Sequence, residues 1–179
     1  MPEEPRRSIP TEPDPPDIST LTRARMGRRI FVTLLAAFLA LGALGFYGVR
    51  TRTASASGGG YEVTVRYASV SRPGLATPWS VEISRPGGFP EGLTLAVTSS
   101  YFDAFDENGF SPTPVEETDD GVRTVWQFAP SEADTIEVSL DARIEPGVQW
   151  ETVKGRVEVL SGPTGSAVVE VDFSTFVMP

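Results

Sequence analysis

The spacing of apolar positions changes once along this chain. From Ile30 to Val49, IFVTLLAAFLALGALGFYGV, twenty residues carry no charge, and eleven of them are Ile, Leu, Phe or Val. At helical rise the run reaches about 30 Å, the hydrocarbon thickness of a bilayer. It predicts a transmembrane helix over 30–49. Glycines at 42, 45 and 48 are ordinary in such a helix. Upstream, residues 1–29 show no apolar period and carry six prolines, which predicts a disordered Pro/Arg-rich tail. Its proline spacing suits a polyproline-reading partner less well than a solvated tail.

From Tyr61 the period becomes two. Tyr61, Val63, Val65 and Tyr67 alternate with Glu62, Thr64 and Arg66, the signature of a half-buried strand. The same alternation recurs at Trp79–Ile83, Leu93–Val97, Val122–Phe128, Ile136–Leu140, Val153–Val159 and Val169–Phe173. Turn signals such as Arg85-Pro86-Gly87-Gly88, Asp119-Asp120-Gly121 and Ser161–Gly165 separate these runs. Roughly seven to nine short strands without an amphipathic helix predict an Ig-like antiparallel β-sandwich over 61–179, with a small β-barrel as the alternative. Between span and strands, residues 50–60 (RTRTASASGGG) are small, polar and Gly-rich, which predicts a flexible linker.

Charge orients the span. Arg23, Arg25, Arg28 and Arg29 precede it, and Arg50 and Arg52 follow it. The positive-inside rule then places the N-terminus in the cytoplasm and the C-terminal domain outside, as a single-pass protein of the cell membrane with an uncleaved signal anchor. The competing reading is a secreted protein: Arg28-Arg29-Ile30-Phe31-Val32 is like a twin-arginine export signal, and Ala54-Ser55-Ala56 offers a cleavage site. The apolar run is longer than signal sequences need, which favours the anchor. Met26 offers a second start for translation beside Met1. Ala36, Ala40 and Ala43 give the span a small-residue stripe suited to a weak homodimer.

Composition then narrows the chemistry. The first 60 residues hold 8 arginines against 5 carboxylates, a net of +3; the other 119 hold 7 basic against 19 acidic side chains, a net of −12. Such a domain repels phosphate backbones, so no nucleic-acid partner is expected. The chain has no cysteine and no histidine, and Lys154 is its one lysine. Ser-His-Asp and Cys-His catalysis and N/S zinc sites are thereby excluded. No phosphate-binding or dinucleotide fingerprint occurs. An enzyme is not expected, nor is a cofactor.

The segment 101–110 is the remaining candidate. Asp103, Asp106, Glu107 and Asn108 offer hard oxygen ligands on a predicted loop, weak candidates for an acidic Ca²⁺-binding envelope module, although the spacing is not that of an EF-hand. A second cluster, Glu116-Glu117-Thr118-Asp119-Asp120, reads as a solvated turn. Tyr101, Phe102, Phe105 and Phe110 are too apolar for an exposed loop. They either plug one end of the β domain or form a binding surface, and the scarcity of large exposed apolar patches favours the plug.

RPGLATPW (72–79), PGGF (86–89), YFDAFDENG (101–109), DARIEP (141–146) and FVMP (176–179) carry a resemblance over residues 61–179. The sequence resembles uncharacterised actinobacterial single-pass membrane proteins with a small extracytoplasmic β domain. That resemblance implies the same topology and no particular activity. Together these readings predict a membrane-anchored extracytoplasmic binding or accessory domain, acting with a membrane-protein or cell-envelope partner.

Overall fold

The structure, a computed structural model, describes residues 18–45, 48–163 and 165–179, without the side chains of 18–22, 107 and 108. The chain divides into two compact units, residues 1–47 and 48–179.

Among its described residues the first unit contains one helix, α1 (Ile18–Ala43). Its stretch Arg23–Ala43 is long and apolar enough to cross a membrane, with a mean hydropathy of 1.6. Both bounds differ from the sequence expectation. The helix starts twelve residues before Ile30, inside the region expected to be disordered, and stops six before Val49. The stop has a local cause. Gly42 and Gly45 weaken the last turn, Gly45 takes a φ of 70°, and the Leu44 and Gly45 amides fold back onto the carbonyls of Ala40 and Gly42. That is a glycine-capped helix end. The Pro-rich stretch 1–17 and Phe46–Tyr47 lie outside the described residues.

The second unit is a mostly β-strand domain whose sheet curls into a partly closed half-barrel. Its strands are β1 (Arg50–Gly58), β2 (Tyr61–Ser71), β3 (Ala76–Ser84), β4 (Leu93–Thr98), β5 (Phe105–Ser111), β6 (Glu116–Asp119), β7 (Arg123–Phe128), β8 (Thr135–Ile144), β9 (Glu151–Leu160) and β10 (Ala167–Val177), with a single helical turn α2 (Ser99–Phe102) before β5. The path through the sheet is β5-β8-β3-β2-β10-β9-β4-β7-β6, with β1 paired to β2. All pairings between these strands are antiparallel except β2 with β10, which run parallel for two residue pairs, Val70–Phe176 and Ser71–Val177. Side chains draw the two ends of this path together. Phe110 on β5 packs on Trp126 of β7, ring centroids 4.5 Å apart, and lies parallel to Phe128.

The predicted linker is a strand. Residues 50–58 pair with β2 from Arg50–Val70 to Gly58–Tyr61. Gly59 and Gly60 join the two strands, both at positive φ (59° and 84°), as a tight hairpin of the I′ kind demands. The inward positions of β1 are Ala54, Ala56 and Gly58, small enough to lie against β10: a Cβ on Gly58 would stand 2.6 Å from the Val168 carbonyl oxygen. The triplet Ala54-Ser55-Ala56, read from sequence as a cleavage site, therefore sits inside a paired strand.

The alternating strands read from sequence supply the core. Val63 and Val65, Val81 and Ile83, Leu95 and Val97, and Val157 and Val159 are all buried. Gly155 in β9 leaves a gap that the rings of Phe173 and Tyr101 fill, a Cβ there lying 2.5 Å from Phe173 Cζ.

Candidate functional site

The four aromatic candidates face inward. Tyr101, Phe102 and Phe105 are buried, and Phe110 is partly buried against the core. Tyr101 meets Phe102, Phe105 and Phe173 at centroid distances of 5.5, 4.9 and 4.8 Å. Its hydroxyl donates to Thr175 Oγ1 (2.9 Å), which donates to the Ala68 carbonyl (2.6 Å), tying α2 to β10 and β2. Burial pushes the phenol well above its ordinary pKa, against the opposing pull of the Thr175 hydrogen bond. These rings belong to the core and present no outward apolar face.

Asp103 and Asp106 are exposed, Asp106 stands opposite Arg143 in the β5–β8 ladder, and the Glu107 and Asn108 side chains lie outside the described atoms. Among the described residues no three His, Cys, Asp or Glu side chains group as a metal would need. The second acidic cluster is not only a turn: Glu116–Asp119 form the edge strand β6.

Asp119 and Asp120 build the turn that follows β6. Asp119 accepts from Thr124 Oγ1 (2.7 Å), Ser99 Oγ (2.9 Å) and the Gly121 amide; Asp120 accepts from the amides of Arg123 (2.7 Å) and Val122 (2.9 Å). These donors hold both carboxyls below the usual carboxylate range, led by the Thr124 hydroxyl for Asp119 and the Arg123 amide for Asp120. A carboxylate whose folded pKa is depressed stabilises the fold above its unfolded pKa of about 3.9 and loses that contribution as pH falls through the folded value. Asp119→Asn should therefore flatten the acid limb of a plot of thermal midpoint against pH below about 4. An unchanged limb would show that the turn does not feel the charge.

A concave site lies elsewhere. A cleft of about 490 Å³ opens where the β1–β2 turn, the β3–β4 loop and the β9–β10 loop meet. Its size lies within the roughly 300–1,000 Å³ of small-ligand sites. Tyr61, Arg85, Glu91, Thr94, Gln127 and Ser161 supply its polar groups, and Gly59, Gly92 and Gly162 let backbone approach it. Arg85 Nη1 donates to the Tyr61 hydroxyl (3.0 Å), and the guanidinium carbon stands 5.1 Å above the Tyr61 ring centre. This pair also walls a second cleft, of about 310 Å³, toward Asp134. Gln127 Nε2 is held by Glu116 Oε2 at 2.7 Å. Close packing fixes the rim: Gly92, at a φ of 83°, would carry a Cβ 2.5 Å from the Phe128 carbonyl oxygen.

Sequence reading did not single out these residues. Arg85 registers there only as the stop of a strand, and Tyr61 only as the start of one. The cleft collects side chains from positions 59 to 168, so no local spacing announces it.

No protein-family model matches the chain, and no curated protein matches it. Solved structures with a similar outline include a cohesin module from a family 33 glycoside hydrolase of Clostridium perfringens, 11% identical, covering 71% of this chain and 98% of that one with a TM-score of 0.42. A second, AvmM, described as catalysing macrocyclization in alchivemycin A biosynthesis, is 12% identical and covers 74% of this chain and 89% of that one, with a TM-score of 0.37. Likeness at this level carries no functional argument.

Proposed function

We propose that this protein is a membrane-anchored, extracytoplasmic, non-catalytic binding module that offers its polar cleft to a ligand or partner in the cell envelope. One observation carries the reading: the cleft lies past the end of β1 opposite to the point where the chain joins the domain. The chain joins at Arg50, and the cleft begins at Gly59, past the end of β1. At strand rise the separation is about 27 Å. A site at that end is open to the envelope when the other end is held at the membrane. Four arginines before the span and two after it support a cytoplasmic N-terminus.

The cleft's side chains are recognition groups: a guanidinium stacked on a phenol, an amide, hydroxyls and one carboxylate, Glu91. Arg85 is partly buried, and among the described residues its guanidinium has no carboxylate within salt-bridge distance. A ligand with an anionic group and hydroxyls suits that set. The finer fold reading that goes with this function is the Ig-like antiparallel sandwich, in which the brief β2–β10 pairing of the curled sheet would act as the corner between layers.

Titrating the full chain with soluble fragments of anionic envelope glycans tests the proposal. Saturable binding is expected, weakened roughly tenfold or more by Arg85→Ala, since a hydrogen bond to a charged group contributes about 1.5–3 kcal/mol. Binding that ignores this substitution would remove the cleft from the account.

A further inference from the structure

We infer that the opposite end of the β domain is a membrane-docking surface on which Trp150 serves as an interfacial anchor. This inference rests on the membrane-anchored reading and adds a second contact with the bilayer.

Three observations converge. The first is Trp150 itself, which is 73% exposed, whereas Trp79 and Trp126 are 2% and 3% exposed. It also takes a φ of 57°, the only described non-glycine residue at positive φ. A bulky residue rarely adopts that conformation, and such outliers cluster where a side chain has a task. The second is its company. The β8–β9 loop that ends in Trp150 lies beside the β2–β3 turn, whose Gly74 amide donates to the Ile144 carbonyl (2.8 Å), and that turn exposes Leu75 at 40%. The third is position. Glu151, the next residue, pairs with Val177; Val177 pairs with Ser71; and Val70, beside Ser71, pairs with Arg50. Trp150 thus stands a few strand widths, on the order of 10–15 Å, from the first residue of the domain.

Chain length settles the occupant. Six residues, 44–49, separate the last residue of α1 from Arg50, and all six are uncharged: LGFYGV. Fully extended they reach about 20–25 Å. A tether this short limits how far Arg50 can stand from the end of α1, which keeps the exposed indole near it within reach of the headgroups. Tryptophan is the residue that favours this layer, its ring apolar and its N–H wet. Glu145 and Glu151 flank the loop, while Arg50, Arg52 and Arg143 stand on neighbouring strands at the same end. With both signs present, docking should not require anionic lipid.

The test uses full-length protein in phosphatidylcholine vesicles, floated on a density gradient and then read by tryptophan fluorescence. Phosphatidylcholine brominated high in its acyl chains should quench the emission, more strongly than lipid brominated near the chain ends. Trp150→Phe should abolish that quenching, because the two remaining indoles are buried and α1 holds none. Flotation without quenching, or quenching that persists in Trp150→Phe, would overturn the docking surface and leave the anchor standing. Failure to float would overturn both readings. The same emission left unquenched but blue-shifted when a second protein is added would assign Trp150 to that partner instead.

Discussion

Tyr101→Ala is expected to remove about 3–5 kcal/mol from the unfolding free energy, measured by urea denaturation of the detergent-solubilised full chain. Three consequences of the structure sum to that cost. The ring fills the gap above Gly155 and touches Phe102, Phe105 and Phe173, so its loss leaves a cavity that packed strands cannot close. The hydroxyl is the donor to Thr175, and without it that buried side chain keeps its bond to Ala68 alone. And α2 loses the side chain that fastens it to the sheet. Tyr101→Phe isolates the hydroxyl and should cost only about 1 kcal/mol. A phenol whose folded pKa is raised stabilises the fold fully below its unfolded value of about 10 and progressively less above it. Wild type should therefore lose more stability above pH 10 than Tyr101→Phe. Should Tyr101→Ala cost under 1 kcal/mol, segment 99–105 would be a loose cover and not part of the core.

The second large effect concerns β1. A chain beginning at Ser57, as cleavage after Ala56 would leave it, should not remain monomeric, whereas one beginning at Gly48 should. Light scattering after size exclusion distinguishes the two. The shorter chain loses the strand that pairs with β2 from Arg50 onward and the alanines that cover the core beside Val63 and Val65. Each ladder hydrogen bond contributes about 1 kcal/mol net. Losing most of this ladder would take a large share of the roughly 5–15 kcal/mol that stabilises an ordinary domain. The uncovered edge of β2 would then template pairing between chains. If the chain starting at Ser57 is a stable monomer, export followed by cleavage regains its standing against the uncleaved anchor.

The contrast between β1 and β2 shows what the sequence could disclose. In β2 valines alternate with Glu, Thr and Arg, and the period is visible without knowing the neighbours. In β1 the inward positions are Ala54, Ala56 and Gly58, and at Gly58 β10 comes too close for any side chain. Smallness erased the period, and RTRTASASGGG looked like a tether. The same holds for β6, whose four residues are all exposed: an edge strand of Glu, Glu, Thr and Asp has no apolar face to announce it. Segment 101–110 was legible in chemistry but not in geometry. Its aromatic content signalled burial, and its rings are buried or partly buried, yet helix and strand share the segment because Ser99–Phe102 turn inward before β5 begins. The helix bounds slipped because hydropathy marks which residues tolerate lipid, while Gly42 and Gly45 decide where the helix stops. The cleft was invisible for a different reason: pairing that spans more than a hundred positions brings Tyr61, Arg85, Gln127 and Ser161 together.

The β1–β2 hairpin also has a mechanical meaning. A ligand fixed to the cleft and an anchor fixed at Arg50 would pull on opposite ends of β1, along its length. The nine residue pairs of that ladder are then strained together, in shear, and none can give way before the others. Had the chain joined the domain at the cleft end, the same force would peel the pairs apart one after another. Along β1 the domain gains tensile strength from this arrangement without a covalent cross-link, in a chain that has no cysteine with which to make one.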